Sequence, residues 1–181
     1  MSPSRNHLRC YVTDRRNGDL LQNISRAIQD GVDFIQIREK DLPAGELLEL
    51  SLHIQKLALG SPTRILINDR LDIALAAGLD GVHLPGAGLP PGRVRPFVRV
   101  LGVSTHRAEE ALAAENAGAD FVVFGPVFDT PGKKAVGLDA LRKVTAAVRI
   151  PVLAIGGCTE ANTAEALGAG AAGIAAIRMF S

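Results

Sequence analysis

Four short stretches decide the fold: Asp30-Gly31-Val32-Asp33-Phe34, Ala77-Gly78-Leu79-Asp80-Gly81, Ala117-Gly118-Ala119-Asp120-Phe121 and Ala169-Gly170-Ala171-Ala172-Gly173. Each ends a helical pattern with a glycine and opens an apolar run after a tight loop. Glycine supplies the left-handed residue that closes a helix. The glycines recur at intervals of 47, 40 and 52 residues, about two βα units each. Recurrence at such a period means stacked supersecondary units.

Outward from these junctions, short runs rich in Val, Ile and Phe alternate with longer segments rich in Ala, Leu, Glu and Lys. Strands are predicted over 8–13, 34–38, 64–68, 81–84, 99–104, 121–125, 152–156 and 173–178. Helical patterns fill 19–30, 44–59, 70–77, 107–117, 138–148 and 160–167. Most strands are apolar on both faces, as parallel strands covered by helices are. Eight strands alternating with helices read as one compact α/β domain over 1–181, a (β/α)8 or TIM barrel. An open doubly wound sheet would place a Gly-rich turn after its first strand. Thr13-Asp14-Arg15-Arg16-Asn17-Gly18 stands there instead, with no GxGxxG.

Composition narrows the partners. With 20 basic against 19 acidic residues the net charge is +1, so anion binding must be local rather than a general attraction to nucleic acid or a membrane. Six Phe, one Tyr and no Trp argue against stacking platforms for bases. Cys10 and Cys158 form neither a disulfide framework nor a zinc spacing. The start, Met1-Ser2-Pro3-Ser4-Arg5-Asn6-His7, has no apolar signal core, and no apolar run reaches about 18 residues. A reduced, cytoplasmic protein is expected. At 181 residues the chain is short for a barrel that typically takes about 250. The segment after the fourth strand is a Pro/Gly stretch rather than a full helix, and no residues remain for a helix after the eighth strand. The flanks of strands eight and one are therefore expected to be bare, to be covered by a second subunit or by a lost C-terminal extension.

In such a barrel the chemistry belongs at the C-terminal strand ends. Strand two ends in Gln36-Ile37-Arg38-Glu39-Lys40-Asp41, and alternation turns Gln36, Arg38 and Lys40 the same way. Two converging cations suit a phosphate or diphosphate; the competing reading is a solvated loop with ion pairs to Glu39 and Asp41. Asp69, in Asn68-Asp69-Arg70, is either a helix N-cap or an oxygen ligand for magnesium. His83 and His106 read first as hydrogen-bonded structural groups. The loop Gly125-Pro126-Val127-Phe128-Asp129-Thr130-Pro131-Gly132-Lys133-Lys134 is either an anion-closing lid or an ordinary exposed loop. Gly156 and Gly157, with Arg178 after strand eight, suggest a second phosphate subsite.

These motifs resemble thiamine phosphate synthase, with thiazole tautomerase its near relative. The resemblance runs from about residue 8 to 180 through Tyr11-Val12-Thr13-Asp14, Gln36–Asp41, Ile67-Asn68-Asp69-Arg70, Asp80-Gly81-Val82-His83-Leu84, Gly102-Val103-Ser104, Gly118-Ala119-Asp120-Phe121, Gly125–Thr130 and Ala154-Ile155-Gly156-Gly157. It implies a magnesium-dependent transferase that joins hydroxymethylpyrimidine diphosphate to hydroxyethylthiazole phosphate through a pyrimidine-stabilised carbocation. By position it implies that Arg38, Lys40 and Lys133 hold diphosphate and that Asp69 binds magnesium. Gln36 and Asn68 would address the aminopyrimidine, with Ser104 beside the same substrate. Thr130 would sit in the lid and the Gly157 backbone would face the thiazole phosphate.

The chain also departs from the family pattern. After His83-Leu84 the family carries Gly-Gln and an acidic magnesium ligand, whereas this chain has Pro85-Gly86-Ala87-Gly88-Leu89. Its lid motif Thr-x-Thr-Lys reads Thr130-Pro131-Gly132-Lys133. Arg178 replaces a family serine, either binding phosphate or blocking it. The alternatives are a tautomerase-like isomerase, which with Pro126 at its catalytic His position would use another acid/base, His83 or His106, and a non-catalytic protein that binds a thiamine intermediate.

Overall fold

The structure is a computed structural model that describes residues 7–180. The stretch 1–6, most of the segment read as lacking a signal core, lies outside the described residues. Eight parallel strands close into a barrel in sequence order. They are β1 (Leu8–Val12), β2 (Phe34–Ile37), β3 (Arg64–Asn68), β4 (Gly81–Leu84), β5 (Val100–Thr105), β6 (Phe121–Phe124), β7 (Val152–Ile155) and β8 (Gly173–Ala176). The helices are α1 (Leu20–Gln29), α2 (Ala44–Leu57), α3 (Leu71–Ala77), α4 (Pro91–Val94), α5 (Ala108–Asn116), α6 (Gly137–Ala147) and α7 (Glu160–Gly168). As the sequence suggests, the β4–β5 connection is not a full helix: α4 is a single turn followed by a short 3-10 turn, Arg95–Phe97. No helix among the described residues is long and apolar enough to cross a membrane.

The repeat has a physical cause. All four junction glycines are left-handed, with φ of 69° at Gly31, 64° at Gly78, 89° at Gly118 and 91° at Gly170. The aspartate that follows stitches the barrel's N-terminal rim. Asp33 accepts from the Arg9 N–H (2.8 Å), Asp80 from Ile65 (2.9 Å) and Asp120 from Leu101 (2.7 Å). Each carboxylate ahead of an even-numbered strand thus satisfies the first backbone donors of the preceding odd one, which explains a period of two βα units. Ala172 holds the fourth position, and there its carbonyl accepts from Leu8 (2.9 Å) to close β8 onto β1.

Alternate strand residues separate two cores. Ile35, Ile37, Ile65, Ile67 and Val122 face the helices, whereas Cys10, Val12, Leu66, Phe121, Val123, Leu153 and Ala175 fill the barrel. Phe34 stacks on Phe121 at 4.9 Å between centroids, plugging the interior well below the mouth.

The predicted bare flank is not found. β8 ends at Ala176 rather than at Arg178, and the following turn brings Phe180 back over β1. Phe180 lies 6.0 Å from the Tyr11 ring, and the Arg9 guanidinium sits 4.9 Å above it. Tyr11 is 0% exposed and Ile174 1%. A folded-back aromatic, packed with Ile174 and Ala176 of β8 in the outer core, covers what a helix would have covered. The flank itself therefore supplies no reason for a covering subunit.

Candidate active site

The loop after β2 is organised from β1. The Thr13 hydroxyl, fully buried, donates to Glu39 Oε1 (2.6 Å) and accepts from the Arg38 N–H (2.9 Å). Arg15 then takes both acidic neighbours: its N–H donates to Glu39 Oε2 (3.2 Å) and its guanidinium grips Asp41 through two bonds of 2.7 and 2.6 Å. The reading in which Arg38 and Lys40 are satisfied by Glu39 and Asp41 is thereby replaced. Neither cation makes an ion pair among the described residues. Both line a cleft of about 260 Å³ with Glu39, Asn68, Asp69, Arg70 and Pro85.

Asp69 is not a helix cap. The residue flanking α3 is Arg70, and no side chain caps that helix. Asp69 instead holds φ at 66°, the only left-handed non-glycine residue described, so its carboxylate is turned out from the end of β3. That conformation is uncommon for a residue with a Cβ, and such outliers gather at functional sites. The carboxylate accepts no hydrogen bond among the described residues. Arg70, its neighbour, is paired with Asp72 at 2.8 and 2.6 Å. The Pro85–Gly88 turn packs against Asp69: a Cβ at Gly88 would stand 2.9 Å from Asp69 Oδ1. No group of three or more metal-ligating side chains occurs among the described residues.

Inside the mouth, adjacent strands present a polar layer above the apolar plug. Gln36, 4% exposed, donates its amide to Asn68 Oδ1 at 3.2 Å. Asn68 is in register with His83, and His83 Nε2 lies 2.8 Å from Ser104 Oγ. Burial first, and the Arg38 charge second, push the His83 imidazole down to about 4, so it is neutral at physiological pH. His106 stands apart, its Nδ1 2.8 Å from the Gly125 carbonyl.

The remaining candidates lie around the rim. Thr130-Pro131-Gly132-Lys133 is a reciprocally bonded turn (Lys133 N–H to Thr130 O 3.0 Å, Thr130 N–H to Lys133 O 3.2 Å) with Gly132 at φ 78°. Proline followed by a left-handed glycine is the chemistry of a type II turn. The base of the loop is anchored on β7, with Val127 and Phe128 donating to Ile155 and Gly156 at 2.8 and 3.0 Å. The exposed Lys133 thus rises on β6, opposite β2 in an eight-strand ring, and does not line the Arg38 cleft. Gly157 has φ 65°, and a Cβ there would stand 2.7 Å from both Asp129 O and Phe128 Cβ. Its carbonyl accepts from Asn162 (2.8 Å), while its N–H stays unpaired among the described residues. Arg178 is exposed in the turn after β8.

Residues 10–180 match the family model described as thiamine monophosphate synthase. The chain belongs to the thiamine monophosphate synthase family. It is 49% identical over 176 residues to a putative thiamine-phosphate synthase of Geobacter sulfurreducens, covering 92% of this chain and 83% of the relative. It is 38% identical over 188 residues to the thiamine-phosphate synthase of Chlorobium phaeobacteroides, covering 100% and 91%. Among solved structures, thiamine phosphate pyrophosphorylase from Pyrococcus furiosus superposes with a TM-score of 0.88 at 35% identity, covering 97% of this chain and 89% of that one.

For a member of the thiamine monophosphate synthase family, sequence reasoning missed two supporting residues, Thr13 and Arg15, and read His83 as a hydrogen-bonded group without naming Ser104 as its partner. That pairing had a readable signal, because Gly81/His83 and Gly102/Ser104 alternate inward on consecutive strands. Thr13 and Arg15 had none, since their partners lie 24 to 26 residues away. Arg15→Ala should release Asp41 toward Lys40 and raise KM for the diphosphate substrate several-fold at low salt. Because the pair is exposed, thermal stability should hardly change. Steady-state kinetics beside a melting curve check both halves.

Proposed function

We propose that this barrel joins hydroxymethylpyrimidine diphosphate to hydroxyethylthiazole phosphate in the cytoplasm, releasing diphosphate and forming thiamine phosphate. One observation carries the reading. Arg15 engages both Glu39 and Asp41, so Arg38 and Lys40 line the cleft without a carboxylate partner. Two unneutralised cations beside a lone outward carboxylate match a polyanionic leaving group such as diphosphate better than any neutral ligand. The two unbridged cysteines accord with a reducing compartment.

The C–O bond between the pyrimidine methylene and the diphosphate breaks heterolytically, and its electron pair leaves on the diphosphate oxygen. Arg38 and Lys40 on one rim, and Lys133 from the turn across the mouth, neutralise the charge that oxygen gains. Groups placed in advance where charge develops are usually the largest catalytic contribution. Gln36 and Asn68, held together at 3.2 Å, offer an amide edge to the aminopyrimidine, whose ring stabilises the cation. The Ser104 hydroxyl contacts the same substrate. The thiazole nitrogen then donates its lone pair to close the C–N bond. The unpaired Gly157 N–H and Thr130 receive the thiazole phosphate, with Arg178 nearby on the rim.

Asp69 fits magnesium in one way. Magnesium is commonly held by one or two carboxylates, substrate phosphates and water rather than by an all-protein cage. Asp69, a single outward carboxylate beside two anion-binding cations, would be the residue to hold such an ion, and Pro85–Gly88 supplies no second carboxylate. When bound, the ion neutralises diphosphate oxygens as a Lewis acid. The test is incubation with both phosphorylated precursors and magnesium. Thiamine phosphate and diphosphate should appear in equal amounts, and a folded chain that yields neither above background overturns the reading.

A further inference from the structure

The His83 ring is attached to the site through one nitrogen only. Nε2 faces Ser104 Oγ at 2.8 Å, whereas Nδ1 is buried without any hydrogen-bond partner. Gly102 and the Phe121 ring lie beside Nδ1. A Cβ on Gly102 would stand 2.7 Å from Nδ1 and 2.4 Å from the Phe121 ring, and that ring lies 6.0 Å from the imidazole centroid. The residue is 2% exposed, and Nδ1 itself has essentially no surface open to solvent.

A neutral imidazole carries one N–H and one lone pair, and the environment chooses between them. Buried N–H donors are almost never left unpaired, while acceptors tolerate it more readily. The lone pair therefore belongs on Nδ1 and the hydrogen on Nε2. With Nε2 as donor, Ser104 Oγ is the acceptor, and its own hydrogen cannot point back at the ring. We infer that His83 is a positioning residue: its Nε2–H occupies a lone pair of Ser104 and turns the serine O–H into the barrel mouth as a fixed donor to the pyrimidine diphosphate. The opposite tautomer would spend the serine hydrogen on the imidazole and present only lone pairs to an anionic substrate. Gly102 is part of the device, because any side chain there would displace the ring.

This inference rests on the synthase reading, and the two can fail separately. In the unaltered protein, 15N NMR of the histidine side chains should show the Nε2–H pattern for His83. An Nδ1–H pattern overturns the inference whether or not the chain turns over. In kinetics, Ser104→Ala and His83→Leu should lower kcat by similar factors, about 10–100-fold, with KM for the thiazole phosphate unchanged. His83→Gln, which keeps an N–H donor at the end of the side chain, should restore activity to within about threefold of the unaltered chain. The double variant His83→Leu/Ser104→Ala should be no slower than Ser104→Ala alone. Losses that multiply, or a folded His83→Gln as slow as His83→Leu, overturn the inference. Absence of turnover in the unaltered chain instead overturns the reading on which it rests.

Discussion

Arg38→Ala is expected to lower kcat for thiamine phosphate formation by about 10²–10³-fold, the usual consequence of removing one group aimed at developing charge. Several features make Arg38 the most costly cation to lose. Its backbone is tied to β1 through Thr13 (2.9 Å), so the side chain starts from a fixed point. It is half-buried, whereas Lys40 and Lys133 are exposed, so its field is less screened by solvent. Its planar fork can hold two diphosphate oxygens at once, which an ammonium cannot do. Arg38→Lys should accordingly recover part of the loss while remaining at least about tenfold slow. Because the thiazole phosphate sits across the mouth, its KM should stay near the unaltered value. Varying each substrate in turn separates these effects, and a fall in kcat below about fivefold would remove Arg38 from the chemistry.

Acidification to about pH 4.5 from about pH 7.5 is expected to destabilise the chain by about 2–3 kcal/mol through His83 alone. Burial, reinforced by the positive Arg38, holds the folded imidazole at about 4, below its ordinary value of 6.5. Between those values the unfolded chain binds a proton that the folded chain refuses. The contribution is therefore fully present above 6.5 and is lost as the pH falls toward 4. No carboxylate is paired with the ring to offset protonation: Nε2 meets Ser104, and Nδ1 meets only packed atoms. Urea unfolding without added metal, compared with His83→Gln, isolates the effect from general carboxylate protonation. The unaltered chain should lose about 2–3 kcal/mol more than the variant over this interval. Equal losses would mean that the folded ring takes up protons freely.

Most of the barrel was legible because its signals are local. The β3 and β4 boundaries agree with the sequence reading to the residue, and the other strands differ by one or two residues at their ends. Strand ends are where the reading overshot, since Arg38, Gly125 and Gly156 continue the run of residues but no longer pair in the sheet. Of the site, the chain showed which groups end each strand and which way they alternate. It could not show which cation remains unpaired. Arg38 and Lys40 each adjoin an acid in sequence, and only the fold reveals that Arg15 has taken both. Asp69 was equally ambiguous until its left-handed φ removed it from the helix start.

The repeated glycine and aspartate, the two-faced apolar strands and the polar strand ends belong to the sequence itself. Each depends on backbone preferences and periodicities within about ten residues. The tertiary structure alone decided the rest: Thr13 with Glu39, Arg15 with Asp41, His83 with Ser104, and Phe180 over the β1–β8 seam. Those pairs join residues far apart along the chain, so they exist only once barrel closure and strand register bring them together. Local sequence sets the direction of a side chain, and closure determines which neighbour it meets.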